Sequence, residues 1–187
     1  MPNAVLVAFL TVFVAELGDK SQLLALSLAS RYRTSLLIGA VATASALTMG
    51  VSVVVGSVLG TTLPTRPLLL AASALFAVFA VRTWREDPQE DDAERAAGGQ
   101  GGFVAVVAGI SLAELGDKTM VAALALAATT SAVGVWIGAT LGMTLAGVLA
   151  VVLGRALWKR LSPVTVRHTS AILFGVMAVV LLVEALR

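Results

Sequence analysis

The sequence predicts an all-α integral membrane protein, with six transmembrane helices built as two inverted three-helix repeats. Composition is one reason: 58% of the 187 residues are hydrophobic and the mean hydropathy is +0.96, whereas soluble domains average roughly 45–50% apolar residues. Segmentation is another, because apolar stretches long enough for a hydrocarbon core of about 30 Å recur six times. The last is internal repetition at a spacing of 98 or 99 positions.

Span one, about 4–30, follows Met1-Pro2-Asn3 without the basic start of a secretory signal, so it is expected to stay as a membrane helix. It holds the polar hexad Glu16-Leu17-Gly18-Asp19-Lys20-Ser21. Spans two and three cover about 35–60 and 67–84 and complete a first unit, residues 1–84. Residues 85–102 carry Glu86, Asp87, Glu90, Asp91, Asp92 and Glu94 and end in Gly98-Gly99-Gln100-Gly101-Gly102, the composition of a solvated linker. Span four, about 103–128, opens the second unit, residues 103–187, and holds the hexad Glu114-Leu115-Gly116-Asp117-Lys118-Thr119. Spans five and six, about 132–154 and 166–186, close the chain, with the lone His168 expected in a basic cytoplasmic loop.

The units match beyond the hexads: Ile38-Gly39-Ala40 parallels Ile137-Gly138-Ala139, and Leu75-Phe76-Ala77-Val78 parallels Leu173-Phe174-Gly175-Val176. Three spans is an odd number, so the second copy enters the bilayer from the opposite side, a design characteristic of secondary transporters. Arg31, Arg33, Arg82, Arg85, Arg95, Arg155, Lys159, Arg160 and Arg167 fall on one side, and only Arg66 and Arg187 on the other. The richer side is expected in the cytoplasm, with the linker inside and both termini outside. Gly56-x-x-x-Gly60 and Gly138-x-x-x-Gly142 have the spacing for close helix approach, which fits packing within one chain and a homodimer equally.

Four carboxylates and two lysines are thus expected inside the bilayer, where each ionisable group costs at least about 2.5–3.5 kcal/mol. Binding and moving an ion compensates such a cost. Glu16, Asp19, Glu114 and Asp117 are the candidate metal ligands or proton carriers. Ser21, Thr119 and Gln22 are further oxygen ligands, and Met120 stands where the first copy has Gln22. Continuous helices would put Glu16, Asp19 and Lys20 on one face, and Glu114, Asp117 and Lys118 likewise. Unwinding at Gly18 and Gly116 would instead turn backbone carbonyls toward a cavity. Without cysteine the oxygen set suits hard or borderline divalent cations. Four carboxylates and two lysines sum to −2, which one divalent cation or two protons neutralise. Lys20 and Lys118 then balance charge, and the load alternates between cation and proton. The competing reading is that the lysines form intrahelical ion pairs with Glu16 and Glu114, which leaves Asp19 and Asp117 without partners. Thr43, Ser45, Thr48, Thr140 and Thr144 are candidates to line a pathway, although membrane hydroxyls often bond their own helix.

A doubled Glu-x-Gly-Asp-Lys/Arg-Ser/Thr motif, complete in both copies, resembles that of the small membrane cation transporters that include Golgi manganese/calcium transporters and bacterial manganese exporters. The resemblance implies transport of Mn2+, Ca2+ or both in exchange for protons, with the two motifs facing each other around the ion. It implies a plasma-membrane exporter whose partners are divalent metal ions and the lipid bilayer. A passive divalent-cation channel and a membrane scaffold docking through the acidic linker are the alternatives. No cofactor and no nucleic-acid partner is expected. No nucleophile and base pair stands out that would make the chain an enzyme.

Overall fold

The computed structural model describes residues 2–17, 28, 32–85, 102–158 and 163–187. These form seven helices: α1 Pro2–Glu16, α2 Thr34–Thr62, α3 Thr65–Arg85, α4 Phe103–Glu114, α5 Lys118–Thr129, α6 Ala132–Trp158 and α7 Pro163–Leu186. There is no strand among the described residues. Four helices are long and apolar enough to cross a membrane, in segments Thr34–Thr62, Thr65–Arg85, Ala132–Val152 and His168–Leu186. Proline marks two of the boundaries. Pro64 separates α2 from α3, and Pro163 opens α7, where its missing N–H costs no helical hydrogen bond.

Of the two readings of the second hexad, the interrupted helix is the one found: α4 and α5 follow in succession, broken at Leu115–Asp117, so Glu114, Asp117 and Lys118 do not share one helical face. One expectation is corrected. His168 lies in the first turns of α7, half-buried and stacked on Trp84 with ring centroids 4.2 Å apart, rather than in a loop. Residues 86–101 of the expected linker lie outside the described residues, as do Gly18, Asp19, Lys20, Ser21 and Gln22.

Helices from the two halves of the chain interleave: α1 packs most extensively on α6, α4 on α2, and α3 on α7. Side chains at α1–α6 give way to backbone. A Cβ on Gly142 would stand 2.7 Å from the Phe9 carbonyl oxygen, and one on Gly138 would collide with the Val5 carbonyl. Gly56 and Gly60 meet the carbonyls of Leu124 and Ala128 in the same way, joining α2 to α5. Both Gly-x-x-x-Gly pairs therefore serve contacts within the chain. Gly39 lies against Phe103 at the start of α4, so α4 and α5 run in succession along α2 in the same direction.

The main core joins Ala8, Val12 and Ala15 of α1 to Met49, Phe76, Ala122, Met143 and Phe174. A second cluster joins Leu37, Ala40 and Ala44 of α2 to Val106 and Ile110 of α4. Outward, the helices present Val54, Val104, Leu112 and Val179, each 60% exposed or more. Such apolar walls are stable against lipid rather than water.

Candidate metal centre

α1 ends at Glu16 and α4 ends at Glu114, residues 98 positions apart, and both side chains are almost fully buried, at 2% and 3% exposure. Beyond Glu114 the backbone turns through Leu115 and Gly116, whose φ of +80° is a left-handed conformation open to glycine without strain. The Asp117 N–H bonds back to the Glu114 carbonyl at 3.1 Å. Asp117 then caps α5: its carboxylate accepts from the Thr119 N–H at 3.5 Å and from the Thr119 hydroxyl at 3.3 Å. Thr119 is fully buried, which fixes that carboxylate's direction.

Glu16, Glu114 and Asp117 each offer a carboxylate oxygen, and these oxygens lie within 4.8 Å of one another. Three carboxylates this close cannot all be ionised without a cation to offset them, and otherwise hold protons. The C-termini of α1 and α4 add the partial negative ends of two helices, which favours a cation further. Lys118, half-buried, begins α5 beside the cluster. On the edge of the turn, the Gly116 N–H reaches the Met120 sulfur at 3.5 Å.

The structure thus brings together Glu16, Glu114, Asp117 and Thr119 of the expected site. The hydroxyl candidates divide. Thr43 donates to the Gly39 carbonyl at 2.8 Å and Thr48 to the Ala44 carbonyl at 2.9 Å, both on their own helix, and the Thr48 hydroxyl also lies 3.9 Å from the Met143 sulfur of α6. Ser45, Thr140 and Thr144 have buried hydroxyl oxygens with no hydrogen-bond partner among the described residues. Thr11 and Ser111 join that group and were missed in the sequence. The available signal was helical phase: Ser111 precedes Glu114 by three positions, and Thr11 lies on the buried stripe that continues through Ala15 and Glu16. From α7, Ser170 donates to the Val14 carbonyl at 2.8 Å, tying the last helix to the turn of α1 that carries Glu16.

Among known proteins, the family described as Divalent cation/proton antiporter GDT1 matches residues 4–91 and 102–187. The chain is 37% identical, over an alignment of 201 residues, to a GDT1-like protein of Synechocystis sp., covering 96% of this chain and 97% of that protein. It is 33% identical over 132 residues to a protein of Vibrio cholerae serotype O1 named "Putative manganese exporter", covering 70% of this chain and 65% of that one. No solved structure matches the chain. The family consists of transporters rather than enzymes, and what they carry is a divalent cation, a load that fits a buried cluster of carboxylates. Matched along nearly its whole length, the chain belongs to the GDT1 family of divalent cation/proton antiporters.

Proposed function

We propose that the chain exchanges Mn2+, with Ca2+ as the other candidate, for protons at a carboxylate site shared by both hexads. The observation that carries this reading is the convergence of Glu16, Glu114 and Asp117 within 4.8 Å. With Asp19, Lys20 and Lys118 counted in, the set carries −2, which one divalent cation neutralises in one state and two protons in the other, so neither state leaves net charge uncompensated in low dielectric. Asp19, the counterpart of Asp117 at a spacing of 98, completes the set, with Ser21 and Gln22 as oxygen ligands and Lys20 with Lys118 as charge balance. The manganese assignment draws on the name of the Vibrio relative and on oxygen ligands that suit that ion.

Alternating access in this reading comes from two inverted three-helix units, 1–84 and 103–187, crossing the membrane six times, with 85–102 as the cytoplasmic linker. Support lies in reciprocal packing. The first helix of each unit rests on the second helix of the other, α1 on α6 and α4 on α2. Residues 98 positions apart meet their own counterparts: Glu16 faces Glu114, and Phe76 lies 5.9 Å from Phe174 between ring centroids. A pseudo-two-fold axis in the membrane plane relates such pairs.

Flux of Mn2+ and Ca2+ into proteoliposomes, with and without an imposed pH gradient, tests the proposal. Gradient-driven uptake is expected, and Asp117→Asn, which removes a charge while keeping a capping oxygen, is expected to abolish it with protein still folded. Uptake indifferent to pH would replace exchange by a channel. Full uptake in the Asn variant would remove the carboxylate site.

A further inference from the structure

Apart from the carboxylate cluster, the α3–α7 pair carries a groove of about 320 Å3 lined by Ala80, Val81, Trp84, Arg85, Ala171 and Ile172. Its chemistry is divided along its length. Ala80, Val81, Ala171 and Ile172 make an apolar trough, while Arg85, the exposed last residue of α3, stands at one end with Arg82 one turn earlier. Trp84 is half exposed, and its indole is held by His168 of α7, with the rings 22° from parallel. An indole and a guanidinium at the end of a membrane-crossing helix occupy the depth of lipid headgroups.

The pseudo-symmetric counterpart of this end lacks those features. Positions 98 further on from Trp84 and Arg85 are Leu182 and Val183, while the apolar Ala80 and Val81 correspond to Ala178 and Val179. The repeat thus carries the apolar Ala80–Val81 pair over, whereas Trp84 and Arg85 have no counterpart at the matching positions. Under the proposed orientation that end is cytoplasmic, the side on which anionic lipids concentrate.

We infer that the Trp84–Arg85 end of the α3–α7 groove binds one anionic phospholipid, with its phosphate at Arg85 and an acyl chain along Val81 and Ile172. A soluble phosphate would gain from Arg85 alone and nothing from the trough, whereas a phospholipid matches both parts. Because α3 and α7 come from different halves of the chain, the bound lipid bridges them. This inference rests on the proposed orientation and is independent of the transported ion.

Native mass spectrometry of the full chain released from micelles doped with equal dioleoyl phosphatidylglycerol and dioleoyl phosphatidylcholine tests it. The wild type is expected to retain the glycerol lipid about fivefold over the choline lipid, the scale of one basic residue at a membrane surface. Arg85→Gln is expected to bring the two lipids to near equality, and Ile172→Trp, at an exposed position that fills the trough, to lower both. Arg66→Gln, at the other end of α3, is expected to keep the wild-type preference and serves as the control. Equal retention in the wild type, or an unchanged preference in Arg85→Gln, would overturn the inference. So would displacement of the lipid by glycerol 3-phosphate as effectively as by phosphatidylglycerol, since the trough would then contribute nothing.

Discussion

Gly116 sits between two carboxylates of the cluster with φ +80°, and a Cβ added there would meet nothing within 4 Å. Substitution at this position is therefore a test of backbone conformation without steric collision. An L-residue in the left-handed region loses about 1–2 kcal/mol, less for Asn and more when β-branched. Thermal unfolding in detergent is expected to show loss of stability in the order Gly116→Asn, Gly116→Ala, Gly116→Val. Equal melting for all three would mean that the turn relaxes freely and does not hold Asp117 in place. The turn matters because the capping role of Asp117 and its place among the ligands depend on the same backbone: α5 begins where it does because Asp117 leaves the helix and Thr119 is buried beneath it.

At the scale of elements, close helix approach is distributed unevenly. Gly138 and Gly142 let α6 reach the α1 backbone, while Gly175 in α7 has only the Ala80 methyl, 3.9 Å from where its Cβ would lie. Alanine should thus have opposite effects at the two places. Gly138→Ala forces α1 away and is expected to lower stability by about 1–3 kcal/mol, the usual cost of overpacking. Gly175→Ala adds ordinary contact, removes a helix-interior glycine, and is expected to raise stability by about 0.5–1 kcal/mol. Melting curves for the two variants check both signs, and destabilisation by both would show that helix seams are equally tight throughout. α1 carries Glu16 at its end, so the Gly138 seam also sets where that carboxylate arrives.

For the whole molecule, six crossings would put both termini on one side and the acidic linker on the other. With nine basic residues on the linker's side against two, alkaline phosphatase fused after Arg187 is expected to be active and green fluorescent protein fused there dark. Green fluorescent protein placed after Gln100 is expected to fluoresce; the reverse pattern would invert the orientation. Much of this was legible in the chain itself. Hydrophobic length announces a membrane span, and a Glu or Asp within one is costly enough that Glu16, Glu114 and Asp117 stood out before any contact was known. The break at Leu115–Asp117 was legible only as a choice between a continuous and an unwound hexad, since glycine permits either, and capping by Asp117 with burial of Thr119 decides it. Thr43 and Ser45 read alike in the sequence, yet only one hydroxyl has a partner. Their fate, the pairing of α1 with α6, and the α3–α7 groove depend on which faces meet. Lipid and protein interior are equally apolar, so a membrane span carries no hydrophobic stripe to mark its packing face, and only tertiary contact could select it.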